Sequence, residues 1–324
     1  MDIVRPQSLA NNIIAVDGFS GTGKSLMMPL LCHLEGGELW QIDTKTERIA
    51  LLDFFKKIDN KAAQALIQMA FDERLYDLQI SRNINFREFD DSSVQNNLMF
   101  DKYNKRIKNP KEREYIVNRV KKQQPLYVTD IHYIFGYTNI YIKALFKRLE
   151  AYIIMMRNPT HLIKAFFNQN LQQRIGNDPM ELTLCIQYKG INIPYFAIDY
   201  KDEYSNINDL EKTILFVYHH GLRVRKMYNS LSKEEQSKIH FIPFENLIKD
   251  HNKYIDKILK TSNRKRSDTF VKIENFLNLP RPQEEINYNL INDLQKECGL
   301  KIDQKYQKLI DIMIEEYKII LEKY

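Results

Sequence analysis

The sequence predicts an α/β protein with three layers, helices packing on both faces of a central, mostly parallel five-stranded sheet, and large helical insertions. Short apolar runs rich in β-branched residues alternate with stretches of helical periodicity, a pattern typical of parallel sheets covered on both faces. Glycine is scarce, at 10 of 324 residues, yet three of the ten fall within six residues directly after the first apolar run. One turn therefore needs a backbone geometry that other residues rarely adopt.

Five short apolar runs are the predicted strands, and the segments between them are mostly helical. The strands are Asn12–Val16, Glu38–Ile42, Leu126–Thr129, Tyr152–Met156 and Ile239–Pro243. Segments 47–122 and 174–235 are too long for simple crossovers, so we expect helical insertions there that build a substrate pocket or lid. No domain boundary is visible, and the sequence predicts a single domain over residues 1–324. A ligand should bind at the carboxyl ends of the parallel strands.

Composition and charge exclude several classes of protein. Lys and Arg exceed Asp and Glu by 48 − 42 = 6, which is compatible with anionic ligands but too weak to indicate nucleic acid. The sequence has no apolar run near the length of a membrane span and no signal-peptide pattern at its start. Cys32, Cys185 and Cys298 are few and scattered, so a disulfide scaffold is not expected. These features favour a cytoplasmic protein.

The glycine cluster is a complete phosphate-loop motif. Residues 18–25 read GFSGTGKS, a G-x-x-x-x-G-K-S pattern between a predicted strand and a predicted helix. Such a loop turns backbone N–H groups and a helix N-terminus toward an anion, while its lysine reaches the outer phosphate. The sequence therefore predicts a fold like that of P-loop NTPases. The predicted nucleotide-binding residues here are Gly18, Ser20, Gly21, Thr22, Gly23, Lys24 and Ser25.

Two families share features with this chain. With Asp17 before the loop, VDGFSGTGKS resembles the opening of nucleoside monophosphate kinases of the cytidylate kinase type, over about the first 30 residues. Three later segments resemble the sulfotransferase family in the family's order. They are YIIMMRNPTHLIKAFFNQ at 152–169, IHFIPFENLIKD at 239–250 and FLNLP at 276–280.

The sulfotransferase resemblance implies a donor and a binding residue. The donor would be 3′-phosphoadenosine 5′-phosphosulfate, and Arg157 in the R-N-P segment would hold its 3′-phosphate. The chain departs from the family at Ala165, where a serine usually provides a second ligand; Lys164 lies beside it. An arginine-lysine-glycine segment of the cytosolic type is also missing. The acceptor or the mode of donor binding is therefore expected to be atypical.

The segment LYVTDIHY at 126–133 supports two interpretations. A kinase would use Asp130 with Ser25 to hold Mg²⁺ beside ATP. A sulfotransferase would use His132 as the general base that deprotonates the acceptor, and Lys24 would stabilise the departing phosphate. That reaction needs no metal. The interpretation that spans more of the chain is a sulfotransferase-like enzyme, a transferase. The alternatives are a Mg-ATP-dependent nucleotide or small-molecule kinase and a non-catalytic nucleotide-binding protein.

Arginines in the two insertions are candidates for the acceptor site. Arg82, Arg87 and Arg174 lie among turn-forming polar residues and could meet an anionic small-molecule or glycan acceptor. The stretch Lys102–Lys122 carries nine basic residues and is interpreted as a solvated helix face or a basic lid. The acceptor itself and the oligomeric state are not predicted.

Overall fold

The computed structural model describes residues 3–111, 113–282 and 286–324. It contains a five-stranded sheet and a two-stranded hairpin. The strands, in chain order, are β1 Ile13–Asp17, β2 Gln41–Ile42, β3 Tyr127–Asp130, β4 Leu149–Met156, β5 Cys185–Tyr188, β6 Ile191–Pro194 and β7 Ile239–Pro243. The five-stranded sheet has the order β2-β3-β1-β4-β7. Each of the five predicted strands is present, with ends within three residues of the prediction.

The central strand β1 is parallel to both of its neighbours. Val16 pairs with Asp130 of β3, and Asp17 pairs with Ile154 of β4. The strand β2 is parallel to β3 as well, with Ile42 opposite Asp130. Every residue of β1 is buried, as expected for a strand whose two faces are both covered. The carboxyl ends of these strands therefore meet at one edge of the sheet, where the phosphate loop begins.

Helices precede and follow the strands as the periodicity predicts. The first six are α1 Lys24–Cys32, α2 Thr44–Phe54, α3 Asn60–Ile80, α4 Phe100–Ile107, α5 Glu114–Gln123 and α6 Asn139–Leu145. Asp43 and Asp59 precede α2 and α3, and their side chains accept hydrogen bonds from first-turn N–H groups. Such N-caps explain why two helices begin at these points of the insertion. Residues 81–99 form turns and loops.

The chain divides into two compact units. The first comprises residues 3–155 and 230–282. Besides the sheet and α1–α6 it holds α10 Lys233–Gln236, α11 Phe244–Lys249, α12 His251–Ser262 and α13 Phe270–Phe276. The sequence alone did not indicate this division.

The second unit comprises residues 156–229 and 286–324. Its helices are α7 Pro159–Asn168, α8 Leu171–Arg174, α9 Asp209–Ser230 (whose last residue belongs to the first unit), α14 Leu290–Cys298 and α15 Gln304–Lys323. Helices α14 and α15 pack on α7. Phe196 and Phe216 stack in the core with ring centroids 4.1 Å apart. No helix within the described residues has the length and apolar character of a membrane span.

The hairpin β5–β6 is an element that the sequence analysis did not identify within segment 174–235. Its turn consists of Lys189 with φ 48° and Gly190 with φ 83°. Two successive residues with positive φ match the right-handed twist of the flanking strands. The insertion therefore contains a short β-ribbon in addition to its helices.

Candidate functional site

The phosphate loop connects β1 to α1 through three glycines with positive φ. These angles are 136° at Gly18, 82° at Gly21 and 92° at Gly23. A Cβ on Gly18 would lie 2.6 Å from the carbonyl oxygen of Met155, and one on Gly23 would lie 2.5 Å from Cδ2 of Phe244, whereas one on Gly21 would meet nothing within 4 Å. Packing against β4 and α11 thus requires two of the glycines, and the backbone conformation alone requires the third.

A buried carboxylate braces the base of the loop. Oδ1 of Asp17 accepts the Gly18 N–H at 2.7 Å, and Oδ2 accepts the hydroxyl of Tyr152 at 2.8 Å. Burial raises the pKa of Asp17, and the hydrogen bond from Tyr152 opposes this rise. Higher in the loop, the Thr22 hydroxyl donates to the Phe19 carbonyl at 2.7 Å. Asp17, which contributes to the kinase resemblance, therefore stabilises the start of the loop.

The N-terminus of α1 is suited to an anion. Within the described residues no side chain caps it, and its first turn carries no acidic residue. Ser20, Gly21 and Ser25 are exposed, while Thr22 and Lys24 are buried. The positive end of the helix dipole is thus not neutralised locally, and exposed loop residues surround it.

Lys24 joins the phosphate loop to the end of β3. Its ammonium lies 2.9 Å from Oδ1 of Asp130, donates to the carbonyl of Ile131 at 2.7 Å and lies 3.3 Å from Nδ1 of His132. Asp130 and His132, the key residues of the two competing interpretations, therefore both contact the same lysine.

The contact with Lys24 assigns the tautomer of His132. An ammonium can only donate, so Nδ1 accepts and the ring proton resides on Nε2. Burial and the charge of Lys24 together lower the pKa of His132 to about 3. The imidazole is therefore neutral at physiological pH, as a base must be, but it is a weak base while the lysine stays beside it.

Glu47 in α2 is a site residue that the sequence analysis missed. Its Oε2 accepts the backbone N–H of His132 at 3.0 Å and also that of Tyr133. Burial raises the pKa of Glu47 to about 8, although both N–H bonds favour the carboxylate. Its Oε1 is buried without a hydrogen-bond partner among the described residues. In the sequence it is an ordinary first-turn glutamate, so no motif marks it.

Arg157 follows β4 directly and belongs to the second unit. The next residue, Asn158, caps α7 by accepting the Thr160 N–H at 3.1 Å, and Pro159 is the first residue of the helix. Asn158 also donates to the carbonyl of Asn287 at 3.1 Å. Because Asn158 already caps this helix, an anion bound nearby would depend mainly on side chains such as the half-buried Arg157.

The three arginines proposed for the acceptor each meet a carboxylate close by in sequence. The first two belong to the first unit and the third to the second. The N···O distances are 3.6 Å for Arg82 with Asp77, 3.3 Å for Arg87 with Asp90 and 2.5 Å for Arg174 with Glu181. All three side chains are substantially exposed. They remain candidates for acceptor binding, and each belongs to an ion pair, whose carboxylate is buried in the pairs of Arg82 and Arg174.

Part of the basic run, the stretch Lys102–Lys122, has a structural role. Neither a solvated helix face nor a basic lid predicts that role. Lys102 and Arg106 lie 3.1 Å and 2.6 Å from the carboxylate of Glu38, which is buried ahead of β2. Tyr103 donates to the same carboxylate at 2.7 Å. Burial alone would raise the pKa of Glu38, but Lys102 and Arg106 lower it to about 2. Other basic residues of the run are exposed: Lys105, Lys108, Lys111, Arg113, Lys121 and Lys122.

Comparisons with known proteins gave structural matches alone. No family model and no curated protein matches the chain. Among solved structures, the sulfotransferase domain of the Synechococcus PCC 7002 olefin synthase is 12% identical, with a TM-score of 0.43 and 98% of both chains covered. The sulfotransferase domain of the curacin biosynthetic pathway is 13% identical, with a TM-score of 0.38, and covers 90% of this chain and 99% of its own.

A third match is sulfotransferase STF9 from Mycobacterium avium, at 13% identity and a TM-score of 0.44, covering 98% of this chain and 78% of the other. Sulfotransferase domains are thus among the solved structures that this chain resembles. At such identities and TM-scores these matches do not indicate a function for this chain.

Proposed function

We propose that this protein is a sulfotransferase-like enzyme that transfers a sulfuryl group from 3′-phosphoadenosine 5′-phosphosulfate to a hydroxyl or amine acceptor. The observation that carries the proposal is the approach of Lys24, from a complete phosphate loop, to within 3.3 Å of His132 at the end of the neighbouring strand. A cation for the leaving phosphate and a neutral imidazole for the acceptor proton are thus adjacent. A base for the acceptor proton and a cation for the leaving phosphate both accelerate in-line transfer.

The chain offers separate groups for the two ends of the donor. The loop from Gly18 to Ser25 and the N-terminus of α1 would bind the 5′-phosphosulfate end, since they provide N–H groups and a positive helix end. Arg157 would bind the 3′-phosphate, as the sulfotransferase resemblance implies. Ala165 supplies no hydroxyl in that region, and we expect Lys164 to contribute a point charge in its place.

The transfer step follows from the contacts of Lys24. When its ammonium turns from His132 to the phosphate oxygen, Nδ1 of His132 loses its donor and the pKa of the ring rises. The acceptor oxygen or nitrogen attacks sulfur and gives its proton to this Nδ1. The bond between sulfur and the bridging oxygen breaks, and Lys24 stabilises the negative charge that develops on the departing phosphate. His132 and Lys24 are the proposed catalytic residues.

A Mg-ATP-dependent kinase is the second candidate, and one observation favours it. The carboxylate of Asp130 lies 2.9 Å from Lys24 at the end of β3, and Ser25 opens α1 beside it in sequence. Together they could hold Mg²⁺ against the phosphates of ATP.

Ligand-induced thermal stabilisation tests the donor. We expect adenosine 3′,5′-bisphosphate to raise Tm, and ATP with Mg²⁺ to have little effect. Lys24→Ala should weaken any response, and Arg157→Ala should abolish the bisphosphate response. Lys121→Ala, which removes an exposed lysine of α5, is the control and should respond like the wild type. Stabilisation by ATP with Mg²⁺ alone would contradict the sulfotransferase proposal and favour the kinase alternative.

Turnover tests the assigned base. His132→Ala should reduce the release of adenosine 3′,5′-bisphosphate from the donor at least 100-fold in the presence of probe acceptors such as 4-nitrophenol and glucosamine. Its affinity for the bisphosphate should stay within about 3-fold of wild type, because His132 contacts Lys24 through a neutral ring. Wild-type turnover in this variant would remove His132 from the mechanism.

A further inference from the structure

In a sulfotransferase that needs no metal, Asp130 would not serve as a metal ligand. We propose that Asp130 is a positioning residue that competes with the bound anion for the ammonium of Lys24 and thereby limits the affinity of the phosphate loop for anions. The inference rests on the proposed function in one respect, namely that the loop binds the phosphate end of a nucleotide.

The contacts of Lys24 leave it little freedom to meet an anion as it stands. The side chains of Lys24 and Asp130 are 6% and 5% exposed. An ammonium has three N–H donors; one points to the carbonyl of Ile131, another faces Asp130 and the remaining neighbour is Nδ1 of His132. A bound phosphate gains the lysine only if one of these contacts is given up. The contact with Asp130 is the one with an acidic group, whose ionised form the adjacent ammonium favours although burial raises its pKa.

Three buried carboxyls face Lys24, and their other partners differ. Asp17 is committed to Gly18 and Tyr152, and Glu47 is committed to two backbone N–H groups after β3. Oδ1 of Asp130 lies against Lys24 but accepts no well-aligned hydrogen bond from any described residue. Asp130 is therefore the carboxyl whose charge acts chiefly on Lys24.

The charge balance explains why this arrangement lowers affinity. Asp130 offsets the charge that Lys24 would otherwise offer to an anion, and its carboxylate also repels that anion at short range. The low local dielectric strengthens both effects. Removing the charge of Asp130 while keeping its shape should therefore tighten anion binding. Damage to the structure would weaken binding instead, so the direction of the effect separates the two explanations.

Calorimetric titration with adenosine 3′,5′-bisphosphate, without divalent cations, tests the inference. We expect Asp130→Asn to lower Kd about 10-fold or more, which is about 1.4 kcal/mol. Asp130→Ser should act in the same direction if the Asn variant folds poorly. Asp101→Asn, an exposed carboxylate at the start of α4, is the matched control and should leave Kd unchanged.

A double-variant comparison tests whether the effect passes through Lys24. In a Lys24→Met background, Asp130→Asn should change Kd by less than 2-fold, because the competition has been removed. An equal gain with and without Lys24 would show general repulsion and overturn the inference. Unchanged or weaker binding by both Asp130 variants would also overturn it.

A failure of the Asp130 inference can be distinguished from a failure of the proposed function. If the wild type does not bind the bisphosphate, the sulfotransferase proposal fails, and the same variants are titrated with inorganic pyrophosphate. Tighter pyrophosphate binding by Asp130→Asn would still support competition for Lys24, whereas no binding by any variant would reject it. Loss of Mg-ATP binding in Asp130→Asn would identify Asp130 as a metal ligand and reject the inference.

Discussion

Four buried carboxyl groups near the sheet differ in pKa because they meet different partners. Asp17, Glu47 and Asp130 are dominated by the loss of water, which raises the pKa of each. Glu38 is equally removed from solvent, yet the cations of Lys102 and Arg106 bring its pKa down to about 2. Burial alone therefore does not set the charge of a carboxyl in this protein; the number of cations within contact distance does.

Glu47 makes stability depend on pH. The carboxyl has a pKa of about 8 in the folded chain and an ordinary value of 4.5. Between these values the unfolded chain has released the proton that the folded chain retains, so the free energy of unfolding falls as pH rises from about 4.5 through about 8. The slope is at most about 1.4 kcal/mol per pH unit. We expect Tm to fall less steeply between pH 6 and pH 9 in Glu47→Gln than in the wild type.

Thermal unfolding at several pH values measures this difference. Glu35→Gln, which changes an exposed glutamate, is the control and should follow the wild-type curve. Parallel curves for the wild type and Glu47→Gln would show that Glu47 is already ionised at pH 6.

Sequence patterns identify some residues of the site more clearly than others. Lys24 could be placed because a lysine at this position of a phosphate loop has a defined task. Asp130 and His132 were recognised as candidates but belonged to competing interpretations, and the structure places both against Lys24. Glu47 carries no motif, since its role depends on N–H groups 85 and 86 residues further along the chain.

Among the elements, the phosphate loop shows how packing adds to a motif. The G-x-x-x-x-G-K-S spacing predicts positive φ angles and an anion site, and the angles are present. The motif does not predict that Gly18 must admit the carbonyl of Met155, or that Gly23 must admit the ring of Phe244. These neighbours belong to β4 and α11, far away in sequence, so the loop conformation depends on elements that the motif does not contain.

Alanine substitutions in the loop separate strain from steric conflict. Gly21→Ala should cost about 1–2 kcal/mol, since its Cβ has space but its φ is positive. Gly23→Ala should cost more, because its Cβ would lie 2.5 Å from Phe244. Chemical unfolding of both variants measures the difference. In a Phe244→Leu background part of the additional loss should return; equal losses for Gly21→Ala and Gly23→Ala would contradict the steric explanation.

Across the first unit, the buried Glu38 cluster attaches the inserted helices to the sheet. Glu38 precedes β2, while Lys102, Tyr103 and Arg106 belong to α4. Gln79 of α3 donates to the same carboxylate at 2.8 Å. Four helical residues, one in α3 and three in α4, thus bind a single carboxylate in the segment before β2. This explains why α4 keeps basic residues on an inward face.

Removing the negative charge of Glu38 should destabilise the protein substantially. Glu38→Gln leaves two cations without their counter-charge, so we expect a loss of about 3–5 kcal/mol at pH 7 by chemical unfolding. The folded pKa lies below the ordinary value of 4.5, so the contribution of Glu38 is present above pH 4.5 and is lost as pH falls through about 2. The gap between wild type and variant should therefore narrow at pH 3; a constant gap would attribute the loss to packing.

The amino-acid sequence was sufficient for the sheet strands, most helices and the phosphate loop, because each of these depends on a local pattern of apolar spacing, caps and glycines. It could not reveal the partner of Lys24, the proton position on His132, the role of Glu47 or the inward face of the basic run. Those features depend on contacts between residues distant in sequence, such as Lys24 and His132, which are 108 positions apart. Burial then changes the charge of the side chains that meet, and no local pattern contains that information.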